Sequence, residues 1–353
     1  MRRLRTGLRS AVFAATALAL AAAASCCAGT PAGRKAGEPG DAKATSAPGP
    51  AAAEPAEEYG WQKVAAQPSW NARHLAASAV FRDAIWFTGG WNKYAKRIYA
   101  DVWKSTDGVA WQEVTGAAPW ERRNGHGLTV FRDRLWITGG FNFASAVRND
   151  VWRTDDGQSW TEESPAPWAA REGHGALVFR DKLWVIGGIG QGESYLADIW
   201  CTDDGKEWLP VVEEAPWSAR AWPAAVVFEG AIWLFGGVGS AGALGDVWRS
   251  EDGRAWEMVT AEAPWPARCM AGVVEAGGAL RLIGGFASGW AALNDVWSTG
   301  DGEFWELESA TAWNNGRTAI NNVVAFGDSL WLMAGASATM QFSEVWRYRL
   351  TGR

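Results

Sequence analysis

One unit recurs six times along this chain. Equivalent tryptophans stand at Trp61, Trp111, Trp160, Trp208, Trp256 and Trp305, a period of about 49 residues. A unit of that length cannot bury its own apolar face, so successive copies must pack on one another. Each copy runs in the same order: Pro-Trp-x-x-Arg, an apolar stretch, a turn, a second apolar stretch ending in Gly-Gly, a variable loop, Asp-Val-Trp, and a Ser/Thr-x-Asp-Gly turn. The second copy shows it in Pro119-Trp120-Glu121-Arg122-Arg123, Leu128 to Phe131, Leu135 to Gly140, Asp150-Val151-Trp152 and Thr154 to Gly157. The runs are short, β-branched and aromatic, and separated by Gly and Asp turns, with no helical period. Four strands per unit and an all-β fold follow.

Composition serves this repeat. The chain holds 26 Trp and 42 Gly against 3 His. All but three tryptophans occupy recurring places, at the start of the fourth strand, in the fourth-to-first loop, in the third strand, or in the second. Trp91, Trp222 and Trp290 fall outside the pattern. Large aromatics at one place in every sheet fill the space between neighbouring sheets, so the recurring ones are expected to be architectural and the three departures functional. A net charge of -6 argues against nucleic acid as a partner.

Residues 1–26 read as an export leader. A basic stretch with Arg2, Arg3, Arg5 and Arg9 precedes an apolar run from Ala11 to Ala24, too short for a comfortable membrane span. Without this stretch the remaining chain is more acidic still. The ending Ala23-Ala24-Ser25-Cys26-Cys27 resembles the bacterial lipobox, although Ala23 stands where Leu is preferred, so Cys26 is the expected lipidation site. Residues 27–58, rich in Ala, Pro and Gly, are expected to form a disordered tether. The protein is thus expected to be exported to the cell envelope, periplasm or outer surface, touching the membrane only through its lipid. Cys201 and Cys269 fall at non-equivalent places in different copies, and no disulfide between them is expected.

Gly-Gly after an apolar strand, two spaced Trp and a period near 50 resemble the kelch repeat of β-propellers. The resemblance implies a six-bladed propeller over residues 59–353, with four-stranded kelch-like blades. Because the first copy begins at its fourth strand, Trp61 to Ala65, and the last ends after its third, Glu344 to Leu350, the N-terminal strand is expected to close the ring. The Asp-Gly-x-x-Trp turns also resemble the Asp-box of sialidase propellers but lack one residue, and are read as hairpin turns between strands three and four.

With strands alternating in direction, the fourth-to-first and second-to-third loops share one face, the usual binding face of a propeller. Trp91, Trp222 and Trp290 fall there, as do Arg73, Arg123, Arg171, Arg220, Arg268 and Arg317. The arginines admit two readings: a ring that grips a carboxylate, or blade-level ion pairs with Asp101, Asp150, Asp198, Asp246, Asp295 and Glu344, which recur in step. His126 and His174 are likewise open, as structural imidazoles of the repeat or, with Glu172, as acid/base groups titrating near neutrality. The ligand-binding candidates are therefore Arg123, His126, Arg171, His174, Arg220, Trp222, Trp91 and Trp290, with Glu172 and His174 the candidate catalytic pair. An acidic sugar would set its carboxylate on Arg171 or Arg220 and its ring on Trp222.

Three functions fit. The first is a non-enzymatic binding propeller, expected to be a monomer, that takes a glycan or a protein on the loop face. The second is a sugar-acting enzyme, since kelch propellers include galactose oxidase and sialic-acid mutarotase; no Tyr and His set matches the oxidase's copper site, whereas Arg123, Arg171, Glu172 and His174 could serve a mutarotase. The third is a structural scaffold of an envelope assembly. No catalytic triad, phosphate loop or metal-ligand cluster is present, so neither cofactor nor metal is expected.

Overall fold

A computed structural model describes residues 60–65, 68–144, 146–313 and 315–350; the expected leader 1–26 with Cys26, and the tether 27–58, lie outside the described residues. The protein is a six-bladed β-propeller. Blade one contains Ala77–Phe81, Ala84–Thr88, Val102–Ser105 and Gln112–Thr115, hydrogen-bonded in that order from the channel outward. The same antiparallel order recurs in the next four blades, and the innermost strands touch their neighbours around the whole ring, the first blade meeting the last. First and second strands join through two-residue turns such as Arg82-Asp83, whose φ of 46° and 54° matches the twist of the flanking strands.

Blade six contains Val323–Phe326, Ser329–Met333 and Val345–Arg349, and its outermost strand is Trp61–Ala65, paired antiparallel with Val345–Arg349. The closing strand carries the right aromatic for the place. In every blade the tryptophan of the outer strand meets that of the fourth-to-first loop, as in Trp111 with Trp70 at 4.4 Å, and blade six repeats this contact with Trp61 on Trp313 at 5.5 Å.

The Asp-Gly turns do join strands three and four, and they also latch each blade to the one before it. In blade two, Asp156 Oδ1 accepts from the Gln158 and Ser159 amides while Thr154 Oγ1 accepts from the Gly157 amide at 2.8 Å. The turn then lies flat on Trp86 of blade one, so close that a Cβ at Gly157 would fall 1.9 Å from the ring. Gly108, Gly205, Gly253 and Gly302 sit in the same way on Trp331, Trp136, Trp184 and Trp233. Blade five alone lacks the second-strand tryptophan and has Arg281 there, bonded to Glu308 at 2.9 Å. Blade six, whose outer strand comes from the other end of the domain, has no Asp-Gly turn to set on blade five. The missing tryptophan and the closing strand are one feature.

Past Gly-Gly the blades diverge. In blades three to five the second strand continues, as in Lys182–Gly190, whereas in blades one and two it gives way to separate short hairpins, Trp91–Asn92 with Arg97–Ile98 and Phe141–Asn142 with Ala146–Val147. These segments shape the loop face.

Candidate functional site

The arginines do not face a ligand. Each is buried in its own blade, and Arg171 is typical: Nη1 and Nη2 grip Asp198 at 2.6 and 2.7 Å, Nη1 also donates to the Gly187 carbonyl, and Nε donates to the Ala169 carbonyl. Arg123 holds Asp150 and the Gly139 carbonyl, and Arg220 holds Asp246 and the Gly236 carbonyl, in the same way. The carboxylates are shared with the third-strand tryptophans, as where Trp152 Nε1 donates to Asp150 at 2.9 Å. Burial pushes Asp150 and Asp246 up, but the arginine hydrogen bonds and charges outweigh it and hold both below the ordinary carboxylate range. The expected contact of an acidic sugar with Arg123, Arg171 or Arg220 is thereby corrected, because the guanidinium donors are committed inside the blades.

The histidines are corrected too. His126 Nε2 lies 2.9 Å from Thr88 Oγ1 of blade one, and His174 Nε2 lies 2.9 Å from Thr138 Oγ1 of blade two. Each imidazole is a polar clasp across a blade boundary. Burial, reinforced by the Arg171 charge, lowers His174 to about 3, and burial with Arg123 takes His126 well below the ordinary imidazole range. Both are neutral near pH 7, so neither titrates there as an acid/base group should.

What does reach the channel mouth is set by the position two residues after each arginine. Leu75, Gly125, Gly173, Trp222 and Met270 all take positive φ there, from 49° to 63°. Their main chains form a hydrogen-bonded ring: Gly125 N to Leu75 O, Gly173 N to Gly125 O, Trp222 N to Gly173 O and Met270 N to Trp222 O, with Ile320 N donating to Met270 O and Ser78 N to Asn321 O to complete it. Left-handed backbone is unfavourable for Leu, Trp and Met. Their bulk plugs the channel, packed with Ile189, Cys269, Phe286 and Ile320. Trp222 is only 4% exposed and so is part of this plug, not the open platform expected of it.

Blades two and three place glycine in that ring, and the neighbouring side chains occupy the space. A Cβ at Gly125 would lie 2.7 Å from Glu172 Oε2, and one at Gly173 would lie 2.4 Å from Trp222 Nε1. Trp222 Nε1 has no hydrogen-bond partner, and no described residue hydrogen-bonds or pairs with the Glu172 carboxyl. Burial pushes that carboxyl up to about 8. A group protonated in the fold but ionised when unfolded adds stability that is full below pH 4.5 and lost as pH rises through 8. Glu172→Gln should therefore melt above the parent at pH 8, by roughly 2 kcal/mol after discounting its partial exposure, and lose that advantage at pH 4. Parallel melting curves across this range would show that the carboxyl is solvated.

Around the plug the loop face is aromatic. Trp91 packs on His74 at 5.2 Å and on Phe143 at 5.6 Å, and Phe143 meets Phe141 at 5.1 Å. Tyr94 and Phe143 stand 60% and 45% exposed. The loop of blade one is tied to blade six, where Lys93 N donates to Gln341 Oε1 and Gln341 Nε2 donates to the Trp91 carbonyl. Trp290, opposite, lies edge-on to Phe286 at 5.6 Å. Compared with known proteins, the chain matches no family and no curated protein. Of the residues singled out in the sequence, Trp91, Trp290 and Glu172 thus reach the loop face. Tyr94, Phe141 and Phe143 belong with them in the same post-Gly-Gly loops, but unlike tryptophan these residue types show no compositional excess to mark them.

Proposed function

We propose that this protein is a non-enzymatic, kelch-like binding propeller that takes a glycan on its loop face, carried on a tether from a lipid at Cys26. The aromatic arc of Trp91, Tyr94, Phe141 and Phe143 beside the plugged mouth carries the reading. Rings set beside an amide side chain, Asn142, suit a sugar, whose apolar face stacks while its hydroxyl edge takes hydrogen bonds. The spacing of Gly-Gly and tryptophan supports the kelch assignment, and the leader-like residues 1–26 support the anchor. A mutarotase would need a cation for the substrate carboxylate and a group that exchanges protons near neutrality. The paired arginines and neutral imidazoles weigh against it.

A glycan array should reveal oligosaccharide binding to the purified domain. Phe143→Ala, which removes an exposed ring, should weaken the best hit by about tenfold, the scale of one aromatic stacking contact, while leaving the melting temperature within about 2 °C of the parent. Binding that is indifferent to Phe143, Tyr94 and Trp91 would place the ligand elsewhere. An array without hits, together with capture of one defined protein through these rings, would turn the assignment to a protein ligand.

A further inference from the structure

We infer that the channel mouth contains a subsite for a protonated amine, seated on Glu172 beside Trp222, so that the glycan bound here carries an unacetylated amino sugar. This rests on the glycan reading of the loop face. The other carboxylates of the blade interiors, Asp101, Asp150, Asp198, Asp246 and Asp295, each hold an arginine, and Glu344 holds Arg317 and Lys63. Among the described residues Glu172 holds no cation. Its carboxyl fills the space over Gly125 that a side chain would otherwise take, in the hydrogen-bonded ring, and the Trp222 indole covers Gly173, the next member of that ring. A half-buried acceptor without a partner thus stands at the mouth, beside the apolar side chains of the plug.

A carboxylate withdrawn from water without a counter-ion is costly, and the protein meets that cost by keeping Glu172 protonated. A ligand ammonium would supply the missing charge through a charge-assisted hydrogen bond to the Glu172 carboxyl. A metal ion is a poor alternative, because one carboxylate gives too few oxygen ligands for calcium or magnesium. The net charge of -6 favours approach of a cation.

Seating the ammonium ionises Glu172, so binding should release a proton below pH 8. The ionisable groups nearby do not compete for that role. His126 and His174 are held neutral, burial pushes the Cys269 thiol up to about 12, and burial raises Tyr195 above its usual phenol range.

The test uses a glucosamine tetramer and its fully N-acetylated twin, which differ only in bearing ammonium or acetamido groups. Calorimetry at pH 5.5, where the free sugar amines are ammonium and Glu172 is protonated, in two buffers of different ionisation enthalpy should show the glucosamine tetramer binding about tenfold more tightly and releasing a proton, the twin releasing none. Glu172→Gln should reduce the tetramer's affinity to that of the twin and leave the twin's own Kd unchanged, with a thermal melt confirming the fold. If the twin binds wild type as well as the tetramer does, or the preference survives Glu172→Gln, the subsite is refuted while the glycan reading stands. If neither tetramer binds, the amino-sugar assignment falls, and the glycan reading falls with it only if the glycan array is empty as well. If a trilysine peptide alone binds, and through Glu172, the subsite belongs to a protein ligand and the assignment to an amino sugar falls.

Discussion

Removing the strand Trp61–Ala65 should lower the melting temperature by at least about 10 °C and promote aggregation. The strand pairs with blade six from Val345 to Tyr348, and Lys63 Nζ reaches Glu344 at 2.7 Å. Its loss strips Trp61 from Trp313 and Tyr348, which alone should cost roughly 3–5 kcal/mol, and leaves a row of unpaired backbone groups on blade six. Differential scanning calorimetry with light scattering measures both effects. A truncated domain that melts with the parent would mean that blade six is stable with three strands.

Arg171→Ala should be nearly as damaging. Truncation leaves the Asp198 carboxylate with Trp200 Nε1 but without its counter-ion, and the Gly187 carbonyl without the guanidinium donor, inside a blade, and breaking a buried pair on one side costs about 3–5 kcal/mol. Arg171→Lys should recover only part of this, because one ammonium cannot reproduce the two-pronged grip together with the bonds to the Gly187 and Ala169 carbonyls. Chemical denaturation of the three proteins ranks them directly. An alanine variant as stable as the parent would return Arg171 to the list of groups available to a ligand.

The architecture was legible because it is repeated. Six copies give the blades, the offset between the first and last copies gives the closing strand, and the arginines and acids recur in step because each blade needs its own ion pair. The site was less legible because it lives where the copies differ, and a difference in sequence does not reveal which way a side chain turns. Two aligned positions held the missing information. Gly125 and Gly173, two residues after their arginines, mark a left-handed place in the repeat, and Trp222 and Met270 at that place were bound to share the backbone that turns them into the plug. Threonine ends the short second strand of blades one and two only, as Thr88 and Thr138, and the next blade in each case carries His126 or His174. That pairing pointed to a clasp between blades and away from catalysis. The aromatic arc was marked only by Gly-Gly-Trp91-Asn92 and Gly-Gly-Phe141-Asn142 in blades one and two, after which the two loops differ in length and sequence and leave Tyr94 and Phe143 without a counterpart.

The latch between blades has a direction, and this bears on how the domain assembles during synthesis. The Asp-Gly turns of blades two to five each settle on a tryptophan belonging to the blade made just before, so a nascent chain can add these blades one after another as they emerge. Blade one is the exception, for its turn at Gly108 rests on Trp331 of blade six, and the leading strand ahead of it, Trp61–Ala65, pairs with Val345–Arg349 of the same blade. Both partners belong to blade six, the last blade of the domain to be made. Throughout elongation the leading strand therefore remains an unsatisfied edge, and the final step is a contact spanning almost the whole domain, which is expected to be slow and sensitive to chain concentration.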